Sequence, residues 1–479
     1  MKKLTKLFCG IVGLGFLATG LAGCATVGNI DKAHKNTSAD IIYNGTAGTM
    51  MNGYLYYGNA FTDIDSLSTD KDYDNSAKLS YLARLNTNIE LSANSKDFSP
   101  NNVETVSKSI ASHENSFMFV LGNYVYYTIP KKEQAKDDDS GKTVHHFDQS
   151  VIYRSKLNGD DRKKIYSAPA VIDQIEVLKA NGTYYIVMYL DSKIVSISLK
   201  NLKVTTLAEN VTSVAMPKTY QQNCVGSSLE WNGKIVYAKN IDIKDNSTVS
   251  GTELYSVAVS GGNSQLFMRY AQGTTVSLVG RYGDKIFYTA SSSSYMIDAN
   301  TADSVQATDG TVIENGKTIS DVYLMSDGTN EFGYIYTVDD SWGYYNARTN
   351  KNGRMTLDVS DTTTLFVSDR KLYLQTGTGI YVAELSSAFN SVGNVTVTCS
   401  QIVEMTAIKT GLYAYDGTYI YYYAQLEDEE TDEEESDEDS TSITDTDANY
   451  YLYRVKTTSN VDSNDYQLLS LTQTTSRHS

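Results

Sequence analysis

The sequence predicts an all-β protein, and three observations carry that expectation. Tyrosine dominates the aromatic residues, with 38 Tyr against 12 Phe and 2 Trp, while proline is held to 4. Tyrosine suits a pleated surface with one side buried and a wet rim. Beyond the N-terminal segment no amphipathic helical stretch of useful length occurs. A turn dipeptide followed by a Tyr-rich or β-branched run recurs along the chain.

The recurrences give the elements in order. Asn52-Gly53 precedes YLYY, Gly122-Asn123 precedes YVYYT, and Asn181-Gly182 precedes TYYIVMY. Asn232-Gly233 leads into KIVYA, Gly283-Asp284 into KIFYT, and Gly333 into YIYTV. Asp369-Arg370 with KLYLQ and Asp416-Gly417 with TYIYYYA complete the set. Asn-Gly and Asp-Gly pairs supply the positive φ of tight hairpins, so each marks a strand entry. A second run follows each one: SYLARLN, VIYRSKLNGD, KIVSISLKN, ELYSVAVSGG, SYMIDAN, GYYNART, GIYVAELS and YYLYRVK. Further short strands precede the turns (FMFVLG, SLEW, TLFVS) or follow the second run (KKIYSA, QLFMRY).

Four short strands per unit, at a spacing of about 40–70 residues, is the pattern of β-propeller blades. The expected fold is a β-propeller over residues 40–473, with eight blades of four antiparallel strands. Seven blades is the alternative, because Gly283 to Gly316 or Gly333 to Asp358 reads as a degenerate unit. Ile41-Ile42-Tyr43 is expected to complete the last sheet and close the ring, since an open ring leaves sheet edges exposed.

The N-terminal segment reads differently. Lys2, Lys3 and Lys6 form a positive flank, Leu7 to Gly20 is apolar, and Leu21-Ala22-Gly23-Cys24 follows. The apolar run is shorter than the roughly 20 residues of a bilayer span. It matches a secretory signal peptide, residues 1–23, and Cys9 would be discarded with it. Leu-Ala-Gly-Cys resembles the bacterial lipobox. That resemblance implies a diacylglyceryl group on the Cys24 thiol and cleavage that leaves Cys24 as the new N-terminus. Two acyl chains, at about 0.8 kcal/mol per buried CH₂, hold where one binds reversibly. Residues 24–39 read as a flexible tether, with His34 a solvated linker residue, and residues 474–479 as a tail.

Charge narrows the partners. Loss of the leader removes three lysines and no acids, so the formal charge moves from -17 to about -20. Such a balance excludes nucleic acid, whose phosphates demand a basic face, and a polybasic hold on anionic lipid. The expected partners are the lipid bilayer, through diacylglyceryl-Cys24, and an extracytoplasmic protein, peptide or glycan. The expected location is the outer face of the cytoplasmic membrane, or an outer membrane if one exists. Only Cys224 and Cys399 remain in the mature body, and they read as isolated small core residues, although export permits a disulfide.

At Gly122 to Ala168 the match to known repeats becomes specific. GNYVYYT followed by VIYRSKLNGDDRKKIYS resembles the Tyr-rich propeller repeats of a bacterial domain-of-unknown-function family. That family is itself similar to the propellers of low-density-lipoprotein-receptor-type proteins. The receptor repeats carry Tyr-Trp-Thr-Asp, of which Tyr127-Thr128 and Tyr288-Thr289 keep only part. The resemblance implies a binding or scaffolding propeller and transfers no catalytic residue.

Several local features could carry chemistry, and each has a plainer reading. Glu427 to Asp439 holds eleven acids in thirteen residues, inside a loop (426–448) expected to be disordered. Asp63, Asp65, Asp70, Asp72 and Asp74 occupy the corresponding loop of the first unit, and Asp137, Asp138 and Asp139 that of the second, Lys131 to Gln149. In a closed ring these three loops would share one face and one arc, as a mobile acidic canopy. Asp70-x-Asp72-x-Asp74 could hold weak Ca²⁺, the one cofactor considered. Asn75 stands where a calcium loop wants Gly, however, and Tyr81 where it wants Glu. His145-His146 beside Asp148 reads as an incidental loop pair. Trp231 and Trp342 could stack a sugar ring or fill the core. Ser260-Gly261-Gly262 fits a hairpin turn. No nucleophile, zinc or phosphate-loop motif is present, and His113 and His478 add nothing to a triad. The sequence thus points to a non-catalytic binding or scaffold propeller. The rivals are a carboxylate-based carbohydrate-active enzyme and an envelope assembly factor.

Overall fold

In the computed structural model, residues 41–471 are described apart from 44–47, 52–53, 59–79, 88–102, 111–116, 137–142, 158, 217–223, 226–232, 243–249, 271–273, 283, 300–309, 327–330, 340, 369, 387–392, 406–407, 416, 426–449 and 462–464. The chain is an all-β propeller built from four-stranded antiparallel meanders, and hydrogen bonding groups its described strands into eight sheets. We number the sheets I to VIII in chain order.

Sheet I contains Gly48–Met51, Tyr54–Gly58, Ser80–Asn86 and Val103–Ile110. Sheet II contains Met118–Leu121, Tyr124–Lys136, Thr143–Lys156 and Lys163–Ser167. Sheet III follows with Gln174–Ala180, Thr183–Leu190, Lys193–Ser198 and Val204–Glu209. Sheet IV has Ser213–Ala215, Lys234–Asp242, Ser250–Ala258 and Gln265–Tyr270. In sheet V the strands are Val276–Tyr282, Lys285–Ala290, Ser293–Asp298 and Thr311–Glu314. Those of sheet VI are Ile319–Ser326, Glu331–Val338, Ser341–Asn346 and Lys351–Leu357. Sheet VII has Thr363–Ser368, Lys371–Thr376, Gly379–Glu384 and Cys399–Glu404. Sheet VIII ends the series with Ile408–Tyr415, Tyr419–Gln425, Tyr450–Lys456 and Gln467–Leu471. Both units that read as degenerate, those beginning at Gly283 and Gly333, form complete four-stranded meanders in sheets V and VI.

First strands of neighbouring sheets approach one another from sheet IV through sheet VIII and on to sheets I and II, including Gly48–Met51 against Ile408–Tyr415. They therefore line the axis, and the fourth strands form the rim. Exposure agrees: Lys163–Ser167 on the rim has no buried residue, whereas Met118–Leu121 on the axis is mostly buried.

Middle strands are covered on both faces, which explains why their sequences run continuously apolar instead of alternating. Tyr421, Tyr422, Tyr423 and Ala424 are all buried in succession. Among the described residues, each interface from I–II through VII–VIII has its own apolar cluster. Tyr56 and Tyr127 lie between I and II, Phe119 and Ile186 between II and III, and Val187 and Tyr237 between III and IV. Leu254 and Tyr288 fill the IV–V seam, and Phe287 and Tyr336 the V–VI seam. Tyr344 and Leu374 occupy VI–VII, and Tyr373 and Tyr422 occupy VII–VIII.

The recurrent tyrosines meet across strands. Tyr127 faces Tyr153, Tyr237 faces Tyr255, Tyr288 faces Tyr295 and Tyr422 faces Tyr453, each pair in direct register between second and third strands. All four pairs stack, with centroids 5.3–6.2 Å apart. Such contacts add roughly 0.5–1.5 kcal/mol each beyond the area they bury.

Some tyrosines instead lie over glycine. Tyr336 is directly opposite Gly343, and a Cβ at Gly343 would stand 2.2 Å from the Tyr336 ring. Gly343→Ala is expected to cost roughly 1–3 kcal/mol, the range of an overpacked core, as a lower urea midpoint at unchanged slope. A midpoint within 0.5 kcal/mol of wild type would show that the ring can move aside.

Three elements depart from the sequence expectation. Ile41–Tyr43 joins sheet II, not the last sheet: Ile42 pairs with Val120 on one side and Val225 on the other. Closure therefore needs no strand exchange, because sheet VIII is wholly C-terminal and sheet I wholly N-terminal. The first strand of sheet IV is Ser213–Ala215, whereas SLEW (228–231) lies outside the described residues. Gly333 sits inside a strand, opposite Met325, and not at the turn. Sheet VI also gains a fifth strand, Val395–Val397, which pairs in parallel with Lys351–Leu357 and covers its rim edge.

Candidate functional site

Strand direction sorts the connections onto two sides. Turns between first and second strands, and between third and fourth, lie on one side, here called the hairpin side. Connections between second and third strands leave from the other, the loop side. The expected tight turns occupy the hairpin side: Gly122 has φ 59°, Asn181 and Gly182 have φ 49° and 70°, and Arg370 has φ 65°. In sheets II to VIII the residue just after the third strand donates its N–H to this turn or to the start of the second strand. Examples are Leu157 to Asn123 O (3.2 Å), Val259 to Gly233 O (2.6 Å) and Thr457 to Thr418 O (2.9 Å).

The carbonyls of these same residues receive side chains from the preceding sheet. Arg84 of sheet I donates to Leu157 O of sheet II at 3.3 Å. Ser196 of sheet III donates to Val259 O of sheet IV at 2.6 Å. Arg454 of sheet VIII donates to Thr87 O at the end of the third strand of sheet I, at 2.7 Å, across 367 residues of sequence. That last bond is a strut across the ring's closing seam, and Tyr423 of sheet VIII and Tyr57 of sheet I are both buried.

Sheets VIII, I and II share one arrangement around these arginines. Tyr421, Tyr56 and Tyr126 stand opposite Arg454, Arg84 and Arg154. Two residues earlier in each second strand, Tyr419, Tyr54 and Tyr124 carry the guanidinium over their rings at 4.4, 5.5 and 4.4 Å. The cation–π contact keeps the weakly hydrated guanidinium stable where water is scarce.

Two buried carboxylates are also bound internally. Glu314 of sheet V accepts both Arg354 nitrogens of sheet VI, at 2.6 and 2.8 Å, and the Tyr336 hydroxyl at 2.7 Å. Burial and the Glu314 carboxylate push the Tyr336 hydroxyl strongly upward. Glu253 of sheet IV takes Arg269 Nε at 2.7 Å and the Tyr255 hydroxyl. The Glu253 hydrogen bond, followed by burial, pushes Tyr255 up to about 12. A carboxylate whose lone pairs are already occupied by a fork and a phenol is poorly placed to take a substrate proton. Both groups therefore act as locks within and between sheets. The sequence signal was available as a charge at an inward position of a strand, but its partners lie on other strands.

Of the residues singled out in the sequence, several lie outside the described residues: Cys24 and its tether, Asp70, Asp72 and Asp74, Asp137 to Asp139, Trp231 and the 427–439 acidic run. The strand ends that flank three of these segments are described. Gly58 and Ser80, Lys136 and Thr143, and Gln425 and Tyr450 all stand on the loop side of three consecutive sheets, I, II and VIII. Lys131 to Gln149, expected as a loop, is largely a β-ribbon. Pairing continues from Ile129 opposite Val151 out to Lys136 opposite Thr143, with one irregularity at Lys131/Glu133. Its strands of 13 and 14 residues, against 8 in the second strand of sheet III, carry it roughly 15–20 Å beyond its neighbour at about 3.3 Å per residue. His145 and His146 are ribbon positions opposite Gln134 and Glu133.

Trp342, in the third strand of sheet VI, is partly buried against the VI–VII core with its ring 6.1 Å from Tyr323. Cys399 is a free thiol, partly buried in the same region. Burial first, and then its hydrogen bond to Asp358, push that thiol up to about 12. Among the described residues no cluster of three or more His, Cys, Asp or Glu is placed to hold a metal. No described helix is long and apolar enough to cross a membrane.

No family model matches the chain, and no curated protein does. Solved structures similar to it include an oligogalacturonate lyase in complex with manganese, at 9% identity and TM-score 0.38, covering 70% of this chain and 98% of that one. The β-propeller domain of the Trilobed protease from Pyrococcus furiosus is similar at 10% identity and TM-score 0.35, covering 71% and 95%. A puromycin-hydrolyzing peptidase of Mycobacterium tuberculosis is similar at 10% identity and TM-score 0.39, covering 76% and 54%.

Proposed function

We propose that this chain is a lipid-anchored extracytoplasmic scaffold whose propeller binds a protein, peptide or glycan on its loop side. The supporting observation is the use the ring makes of four of its buried charged side chains. Arg84, Arg454, Glu314 and Glu253 are each committed to struts or locks inside the ring. These contacts brace the sheets, and the two longest connections within a sheet, 59–79 in sheet I and 426–449 in sheet VIII, leave the loop side. A rigid support carrying variable connections is the general architecture of a recognition surface. The anchor rests on the sequence, where Leu21-Ala22-Gly23 precedes Cys24.

The anchor is tested by expressing the full chain in a bacterial host fed an alkyne fatty acid. Wild type is expected to take up the label and enter the detergent phase. Cys24→Ser is expected to stay aqueous and unlabelled. Label on both proteins, or on neither, would overturn the anchor. The scaffold reading is tested by incubating the anchored protein with a glycan array and analysing products. Retention without turnover supports it, and released shorter glycans would replace it with an enzyme.

A further inference from the structure

Among the described residues, sheet II reaches further inward than any other sheet in the ring. Its first strand, Met118–Leu121, lies on the axis and pairs outward with Tyr124–Lys136. Its axial edge pairs with Ile41–Tyr43, which in turn pairs with Cys224–Val225. The second of these strands comes from the connection between the first and second strands of sheet IV, two sheets away. At about 4.8 Å between neighbouring strands, the pair extends sheet II roughly 10 Å toward the axis.

Direction adds a second constraint. Every first strand runs from the loop side to the hairpin side, where its turn lies. Ile41–Tyr43 is antiparallel to Met118–Leu121, so it runs from the hairpin side to the loop side. Gly48–Met51 then returns as the first strand of sheet I, adjacent to it.

We propose that Ile41–Tyr43 is an axial plug, clamped between sheet II and the sheet IV strand Cys224–Val225. It closes the central opening of the ring, and its withdrawal would reopen it. The backbone groups on the inner edge of Met118–Leu121 supply the hold, since an unpaired strand edge there would seek another partner. The plug's first residue, Ile41, therefore lies at its hairpin-side end.

Register provides the test. Tyr43 is directly opposite Cys224, and opposed positions of an antiparallel pair bring Cβ atoms within the range a disulfide spans. Tyr43→Cys in the full chain, oxidised with diamide, is expected to form an internal disulfide between position 43 and Cys224. The two thiols give up two protons and two electrons, and diamide is reduced to the hydrazine. Peptide mapping should find this link in most molecules, and Tyr43→Cys combined with Cys224→Ser should lack it. A second variant, Ile42→Cys with Val225→Cys in a Cys224→Ser background, tests the same register should the first fail to fold. Independently, replacing Ile41-Ile42-Tyr43 by Gly-Ser-Gly is expected to speed hydrogen exchange of the 118–121 amides at least tenfold while leaving 183–190 unchanged. Neither cysteine pair linking, or exchange at 118–121 staying at the wild-type rate, would overturn the plug. Both readouts are independent of the fatty-acid label, so a failed anchor and a failed plug are distinguishable.

Discussion

Arg454→Met is expected to lower the stability of the propeller by about 3 kcal/mol, because it removes the strut across the closing seam. Arg454 is 2% exposed. Its Nε donates to Gln467 Oε1 at 2.6 Å, its Nη1 to Thr87 O at 2.7 Å, and its guanidinium covers Tyr419. Methionine keeps most of the apolar stem but none of the donors, so the Thr87 carbonyl loses its partner across the seam. A buried group left unmatched costs about 1–3 kcal/mol, and a bond to a charged donor is worth about 1.5–3 kcal/mol. Arg454→Lys should recover only part of the loss, since one compact ammonium cannot replace the planar fork. Urea unfolding reads the result. A midpoint within 0.5 kcal/mol of wild type would show that apolar packing between sheets VIII and I suffices to hold the ring closed.

The second large effect concerns alkaline pH. Burial raises Tyr422 and Tyr423 well above the ordinary phenol range, and it raises Tyr126, Tyr237 and Tyr344 as well. Tyr336 is raised by burial together with its bond to Glu314, and Tyr255 reaches about 12 through Glu253. An unfolded tyrosine ionises near pH 10. A folded pKa above that value means that the native state holds the proton longer. The stability contributed by these phenols is thus fully present below about pH 10 and is lost as pH rises toward their folded pKa values. Because many phenols share the same sheets, the losses accumulate in one cooperative event. A pH titration followed by tyrosinate absorbance and far-ultraviolet circular dichroism should show a large, steep tyrosinate step coincident with loss of β structure, well above pH 10. Gradual ionisation centred at pH 10 with the sheets intact would contradict it.

The second and third strands were the most legible elements, because their aromatic and β-branched runs carry a local signal. YVYYT and VIYRSK became the middle strands of sheet II, and TYIYYYA and YYLYRVK those of sheet VIII. Both faces of such strands are covered, so the apolar run itself reports the burial. Less visible was the 131–149 ribbon. Its Lys, Glu and His residues lack apolar alternation, and only pairing with its own other half identifies it as strand. Ser213–Ala215 was missed for a related reason: three residues are too few to show a period, and SLEW beside the Asn232 turn looked more like a strand.

The candidate-site residues divided in the same way. Trp342 reads equally well from sequence as a stacking platform or as core, and the neighbouring Tyr323 ring places it against the VI–VII packing. The Arg84 and Arg454 motif was present in the text of the sequence as an Arg following Ala or Tyr in the third strand. Its meaning appears only when the next sheet presents a carbonyl. Glu314 and Arg354 similarly become a lock only after two sheets meet.

By itself the sequence determined the propeller, the tyrosine-built middle strands and the turns on one side, because hairpins are encoded by residues a few positions apart. Tertiary structure decided which strand lines the axis, where Ile41–Tyr43 inserts and how sheet VIII is bonded to sheet I. Those outcomes depend on partners up to hundreds of residues away. A single backbone edge or guanidinium is chemically competent for many acceptors, and only the closed ring selects one.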